Sequence, residues 1–129
     1  MTGVFIHPVV ETKRRQPEDL LPLSPIGLQV LLAIADGDKH GYAILKDVDR
    51  RTGGQLALGA SSLYAVLKRL LAEGLVEETA ERPDPSLDDE RRRYFRLTPF
   101  GRRVVVAELK RLESVLAQAP AKRLLFGRS

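Results

Sequence analysis

Ser61-Ser-Leu-Tyr-Ala-Val-Leu-Lys-Arg-Leu-Leu-Ala-Glu73 carries two opposite faces at the helical period. Leu63, Val66, Leu67, Leu70 and Leu71 recur as a core-facing stripe. Ser61, Tyr64, Ala65, Lys68 and Ala72 fall on the other side, and Arg69 flanks them. That outer face is slim, has one aromatic hydroxyl and one lysine, and meets no acidic residue before Glu73. A helix built to enter a groove of DNA has this form. The hydroxyls of Ser61 and Ser62 suit phosphate, and Lys68 suits phosphate or a guanine edge. The pattern alone fits equally well a helix cap and a solvated face, with Tyr64 packed along the helix. Gly59-Ala60-Ser61 opens the helix, with Ser61 expected as its cap and a span of about residues 62–73.

Upstream, Ser24-Pro25 is an N-cap followed by proline at the first helical position. The run Ile26 to Ala35 is apolar nearly all round, which predicts a buried first helix. Asp36-Gly37-Asp38 stops it, with Gly37 expected in the left-handed conformation. A second helix is expected from about His40 to Arg51, with Ile44, Leu45 and Val48 inward, and Gly53-Gly54 ends it. Tyr42 on that helix has two readings, a DNA contact or a partly buried tyrosine with its hydroxyl bonded to backbone, and the second is favoured. Leu56 and Leu58 alternate with Gln55 and Ala57, which predicts a very short strand. Asp36, Asp38 and His40 alternate as metal ligands can, but turn formation and capping account for all three, so no metal site is expected.

Downstream, Leu75 to Thr79 and Arg91 to Leu97 read as two strands of a hairpin around a long loop containing Pro83 and Pro85. Arg91, Arg92 and Arg93 end that loop, where a guanidinium can enter a minor groove. The alternative is ion pairing to Asp88, Asp89 and Glu90 just before them. Thr98-Pro99 repeats the cap-plus-proline signature and starts a last helix. Val105, Leu109, Leu112, Leu116 and Ala119 step along it by 4, 3, 4 and 3, a heptad-like seam that suits a dimer interface or packing on its own domain. Arg102, Arg103, Lys110 and Arg111 are read as a solvated face beside that seam.

Composition closes off other classes. The chain has 129 residues, about one domain, and 43% apolar residues, enough for a single core. It has no cysteine and only His7 and His40, which excludes disulfides, thiolate metal sites and cysteine nucleophiles and leaves little for imidazole chemistry. No nucleophile–base motif, phosphate loop or dinucleotide fingerprint occurs, so an enzyme and a bound cofactor are not expected. The longest apolar stretch is too short to cross a bilayer, and the first ten residues lack the pattern of a signal peptide. A cytoplasmic protein with no membrane partner is therefore expected. The net charge of +4 is concentrated late: residues 98–129 hold seven basic groups against Glu108 and Glu113.

Three helices, a hairpin and a long final helix describe a mainly α protein with a small β-hairpin (α+β): a winged helix-turn-helix with a C-terminal dimerisation helix. The expected organisation is an arm at 1–22, the winged domain at 23–97, the dimerisation helix at 98–119 and a basic tail at 120–129. The resemblance then becomes specific. Leu23 to Gly37, His40-Gly-Tyr-Ala-Ile-Leu-Lys46, Leu58-Gly-Ala-Ser-Ser-Leu-Tyr64, Glu73-Gly-Leu-Val-Glu-Glu78 and Arg92-Arg-Tyr-Phe-Arg-Leu-Thr-Pro-Phe-Gly101 together resemble the PadR family of bacterial transcriptional regulators, in its short-tailed branch. The resemblance implies a homodimer that represses transcription by binding an inverted-repeat operator in double-stranded DNA, with release by a small-molecule effector. Some family members stack a ligand on an interface tryptophan. This chain has none. A winged-helix protein-interaction module that has given up DNA is the competing expectation. Its support is the acidic loop, where five acids face four arginines from Glu81 to Arg93.

Overall fold

The computed structural model describes residues 15–79, 93–120 and 124. A 3-10 turn (Pro17–Leu20) precedes helix α1 (Pro25–Ala33), strand β1 (Lys39–His40), α2 (Gly41–Arg51) and α3 (Ala60–Ala72). Strands β2 (Val76–Thr79) and β3 (Tyr94–Leu97) and helix α4 (Pro99–Gln118) follow. The three strands form one antiparallel sheet in the order β1-β3-β2. Four helices and this small sheet make the expected winged helix-turn-helix.

Both serine/threonine–proline signatures act as read. The Ser24 hydroxyl accepts from Gly27 N–H at 2.9 Å, and the Thr98 hydroxyl accepts from Gly101 N–H at 2.8 Å. Val30, Leu31, Ile44, Val48, Leu63, Leu67, Leu70, Leu75, Phe95 and Val104 build a single core shared by all the helices and the sheet. Burying each such side chain stabilises the fold by about 1.5–3 kcal/mol. Gly101 is where α4 meets the sheet: a Cβ there would run into the carbonyl of Leu75.

Several local expectations are corrected. Leu56 and Leu58 form no strand; they are half-buried against the core as an irregular segment. The third strand is instead Lys39–His40, whose residues pair with Phe95 and Tyr94. Helix α3 starts two residues early, at Ala60. Gly59 is its N-cap in extended conformation, and its carbonyl takes Leu63 N–H at 2.9 Å, so Ser61 is inside the first turn rather than capping it. Gly37 is not left-handed. Helix α1 ends by tightening, with Ile34 N–H to Leu31 O and Ala35 N–H to Leu32 O, whereas Gly53, Gly54 and Gly74 do take positive φ.

The arm is partly integral to the fold. Arg15 donates to the Glu73 carbonyl and lies over the Phe100 ring at 4.8 Å. Leu20, Leu21 and Leu23 pack on the core. Residues 1–14, the wing loop at 80–92 with Arg91 and Arg92, and the tail apart from 120 and 124 lie outside the described residues.

On α4 the heptad stripe divides. Val105 is only 5% exposed and belongs to the chain's own core, so it is withdrawn from the dimer seam. Leu109, Leu112 and Leu116 remain exposed, joined by Val106 and Val115. Glu108 is buried beside them. Its carboxylate accepts from Arg111 at 2.6 and 3.1 Å and from Leu23 N–H at 3.0 Å, which ties the arm to α4.

Candidate nucleic-acid interface

Helix α3 separates its residues as its period requires. Leu63, Val66, Leu67 and Leu70 are buried, and Ser61, Ser62, Tyr64, Ala65, Lys68, Arg69 and Ala72 are exposed. Lys68 lies one turn after Tyr64 on the outer face. Arg69 is set apart from them, bordering a cleft of about 320 Å³ with Leu20, Pro22, Leu23 and Ser24.

Tyr64 is the joint of the surface. Its ring meets Phe95 edge-on, with centroids 6.4 Å apart. Its hydroxyl lies against Gly41, at the point where any larger residue would place its Cβ. Above the ring, at 6.0 Å, is the guanidinium of Arg93 at the base of the wing, which also covers Phe95 at 5.2 Å. The fold thus brings together Tyr64 and Arg93, residues from opposite ends of the predicted site.

Arg93 is held by Glu78 across the hairpin, through Nε at 2.7 Å and Nη2 at 3.1 Å. The β2–β3 register explains the partner: Glu78 faces Phe95, so Arg93 is its diagonal neighbour. These hydrogen bonds hold the Glu78 carboxyl below its ordinary value and raise Arg93. Arg96 pairs at 2.9 Å with Glu77, its direct partner in the same register.

Tyr42 departs from its sequence reading. It is 62% exposed, not partly buried. Its ring lies parallel to that of His40, and Lys46 Nζ is 5.3 Å from its centroid. The available signal was its i, i+4 spacing to Lys46. Asp36 and His40, which alternate with Asp38 as metal ligands can, have local partners: Asp36 takes Lys39 Nζ at 2.8 Å, and His40 Nδ1 caps α2 by accepting from Ala43 N–H at 3.3 Å. Among the described residues no group of His, Asp or Glu could hold a metal ion, and no helix is long and apolar enough to cross a membrane.

The family model for the transcriptional regulator PadR-like family matches residues 30–107, from the middle of α1 into α4. The chain belongs to the PadR-like family of transcriptional regulators. PadR-like proteins are regulators and not enzymes. A 37.1 kDa protein in transposon TN4556 of Streptomyces fradiae is 42% identical over 79 residues, which are 61% of this PadR-like chain and 20% of that protein. Protein X of Lysinibacillus sphaericus is 33% identical over 73 residues, 57% of this chain and 64% of that protein. The chain therefore spans less than two thirds of either relative. Among solved structures, the hsRosR-S4 complex aligns with a TM-score of 0.64 at 22% identity, over 86% of this chain and 89% of that one. RosR is a protein of H. salinarum. Bacillus subtilis PadR in complex with operator DNA aligns with a TM-score of 0.55 at 22% identity, over 68% of this chain and 48% of that one. These likenesses are of fold.

Proposed function

We propose that this PadR-like regulator is a cytoplasmic repressor that binds an inverted-repeat operator in double-stranded DNA as a homodimer. Helix α3 enters the major groove, with Ser61, Ser62, Tyr64, Lys68 and Arg69 at the DNA and the wing arginines Arg91, Arg92 and Arg93 beside it. The observation that carries this reading is the exposed face of α3, free of acidic residues from Ser61 to Ala72, in a chain of this family. Support for the DNA partner comes from the fold shared with Bacillus subtilis PadR, which was captured with operator DNA.

The dimer reading rests on the α4 stripe. Leu109, Leu112 and Leu116, continued by Ala119, offer an apolar face that a domain of this size gains by covering. A two-fold dimer sets its recognition helices in successive major grooves, about 34 Å apart. Release by a small-molecule effector is part of the proposal. Its support is a cleft of about 520 Å³ between α1, the α2–α3 connection and α4, lined by Leu28, Gln29, Leu56 and Leu112. Gln29 Oε1 is buried there without a hydrogen-bond partner.

Footprinting on duplex from upstream of the chain's own gene tests the reading. Two protected half-sites about one helical turn apart are expected. A second reading, a protein-interaction module without DNA, is favoured by one observation: Glu78 and Glu77 already occupy Arg93 and Arg96. No protection together with a stable protein partner would select it.

A further inference from the structure

A further cleft, of about 480 Å³, opens between the 3-10 turn and the first half of α4. Pro17, Val106 and Ala107 give it apolar walls, and Arg102, Arg103 and Lys110 give it charge. Glu18 is the one acid among the described residues that line it, so cations lead by three to one. None of the α3 residues at the proposed DNA face takes part. At 3.6 residues per turn, Arg103 and Lys110 also lie about 140° around α4 from Leu109, Leu112 and Leu116, away from the proposed seam.

The cations are held in place and left unpaired. Arg103 lies over the Phe100 ring at 5.5 Å, and Arg15 lies over the same ring at 4.8 Å. Stacking on an aromatic fixes a guanidinium without using its hydrogen-bond donors. Arg102 gives one nitrogen to the Ala35 carbonyl at 3.3 Å. Neither Arg103 nor Lys110 forms an ion pair among the described residues, whereas Glu108, the buried acid of α4, is taken by Arg111. Arg103 and Lys110 are two turns apart, about 10.5 Å along the helix, and Val106 and Ala107 fall between them. Val106 is 45% exposed. The order along this face is cation, apolar floor, cation.

We propose that this cleft docks an acidic amphipathic helix of a partner protein. Its carboxylates, two turns apart, pair with Arg103 and Lys110, and an apolar residue between them covers Val106. A helix laid in a groove is recognised in this way, by anchors at helical spacing. Charge complementarity sets the sign of the partner, and the apolar floor favours protein over nucleic acid. A phosphate backbone would answer the cations, but it would leave Val106 and Ala107 against polar groups and bring Glu18 against its own charge. The inference stands apart from the DNA reading, because it uses no residue of α3 or the wing.

The test is a fluorescence titration of the full chain with a stapled helical peptide of about 15 residues, carrying two glutamates two turns apart around a pair of leucines. One control peptide has glutamine at both glutamates, and another has alanine at both leucines. The glutamate–leucine peptide is expected to bind, and each control to bind about tenfold more weakly at low salt. Arg103→Gln and Lys110→Gln should each weaken binding about three- to fivefold, with thermal midpoints and the salt slope on duplex DNA unchanged. No binding of the glutamate–leucine peptide at low salt would overturn the proposal, as would equal binding of the glutamine control or indifference to both substitutions. A duplex salt slope flattened by about one in Arg103→Gln would assign the face to nucleic acid, and a changed sedimentation coefficient would assign it to a second copy. Either result would also overturn the acidic helix.

Discussion

The hydroxyl of Tyr64, from the outer face of α3, lies against the backbone of Gly41 at the start of α2, in the space a Cβ would fill. This close approach of α3 to the start of α2 is one that only glycine at position 41 permits. Gly41→Ala is expected to displace Tyr64 and weaken DNA binding more than it changes stability, because the obstructing atoms are the far end of a side chain. The stability change, read from urea midpoints, is expected within about 1 kcal/mol. In a Tyr64→Ala background the same substitution should be neutral or stabilising, a coupling that a double-mutant cycle measures.

Gly101→Ala meets backbone instead of a side chain. The Leu75 carbonyl cannot move without breaking the approach of α4 to β2, so a loss of about 3 kcal/mol is expected. A urea midpoint equal to that of the wild type would contradict the close packing.

Glu78 restrains Arg93, so freeing the guanidinium should favour DNA. Glu78→Gln is expected to tighten binding and steepen the salt slope by about one, as one more cation becomes available to phosphate. Unchanged affinity and slope would mean that Arg93 stays on the protein.

Glu108 predicts a pH dependence. The hydrogen bonds from Arg111 hold its carboxyl below the ordinary value of 4.5, and Leu23 N–H adds to this against the opposing effect of burial. A depressed folded pKa contributes stability that is present above the unfolded value and lost as pH falls through the folded one. Thermal midpoints should therefore drop below about pH 4 in the wild type, and drop less in Glu108→Gln. At neutral pH that variant is expected to lose about 1–3 kcal/mol, since it weakens the buried contacts to Leu23 and Arg111.

Two residues of one heptad stripe should behave differently. Leu112→Glu is expected to give a folded monomer by sedimentation, because Leu112 is exposed on the proposed seam. Val105→Ala should leave the oligomeric state alone and cost about 2 kcal/mol in stability, because Val105 is a core residue.

How far the fold was legible follows from how local each signal is. Ser24-Pro25 and Thr98-Pro99 mark helix starts because a cap is satisfied within three residues. The two faces of α3 were readable for a similar reason: one helix carries the whole pattern. Lys39–His40 becomes a strand only by pairing with Phe95 and Tyr94, more than fifty residues away, and nothing local announces it. The alternation of Leu56 and Leu58 had the right period with no neighbouring strand to pair with. The stripe on α4 could not separate Val105 from Leu109, since periodicity assigns a face and not what covers it. Arg93 pairs with Glu78 because hairpin register decides which charges meet, and the acids Asp88, Asp89 and Glu90 lie outside the described residues. Tyr42 is exposed because α2 turns Gly41, Ile44 and Val48 inward, which leaves position 42 on the wet side.

The most direct test is binding of the full chain to labelled duplex from upstream of its own gene, against random duplex, across a salt series, with Lys68→Ala in parallel. The expected result is preference for the upstream duplex, a steep salt slope, and a slope flattened by about one in Lys68→Ala. No binding to either duplex at low salt would contradict a DNA-reading α3.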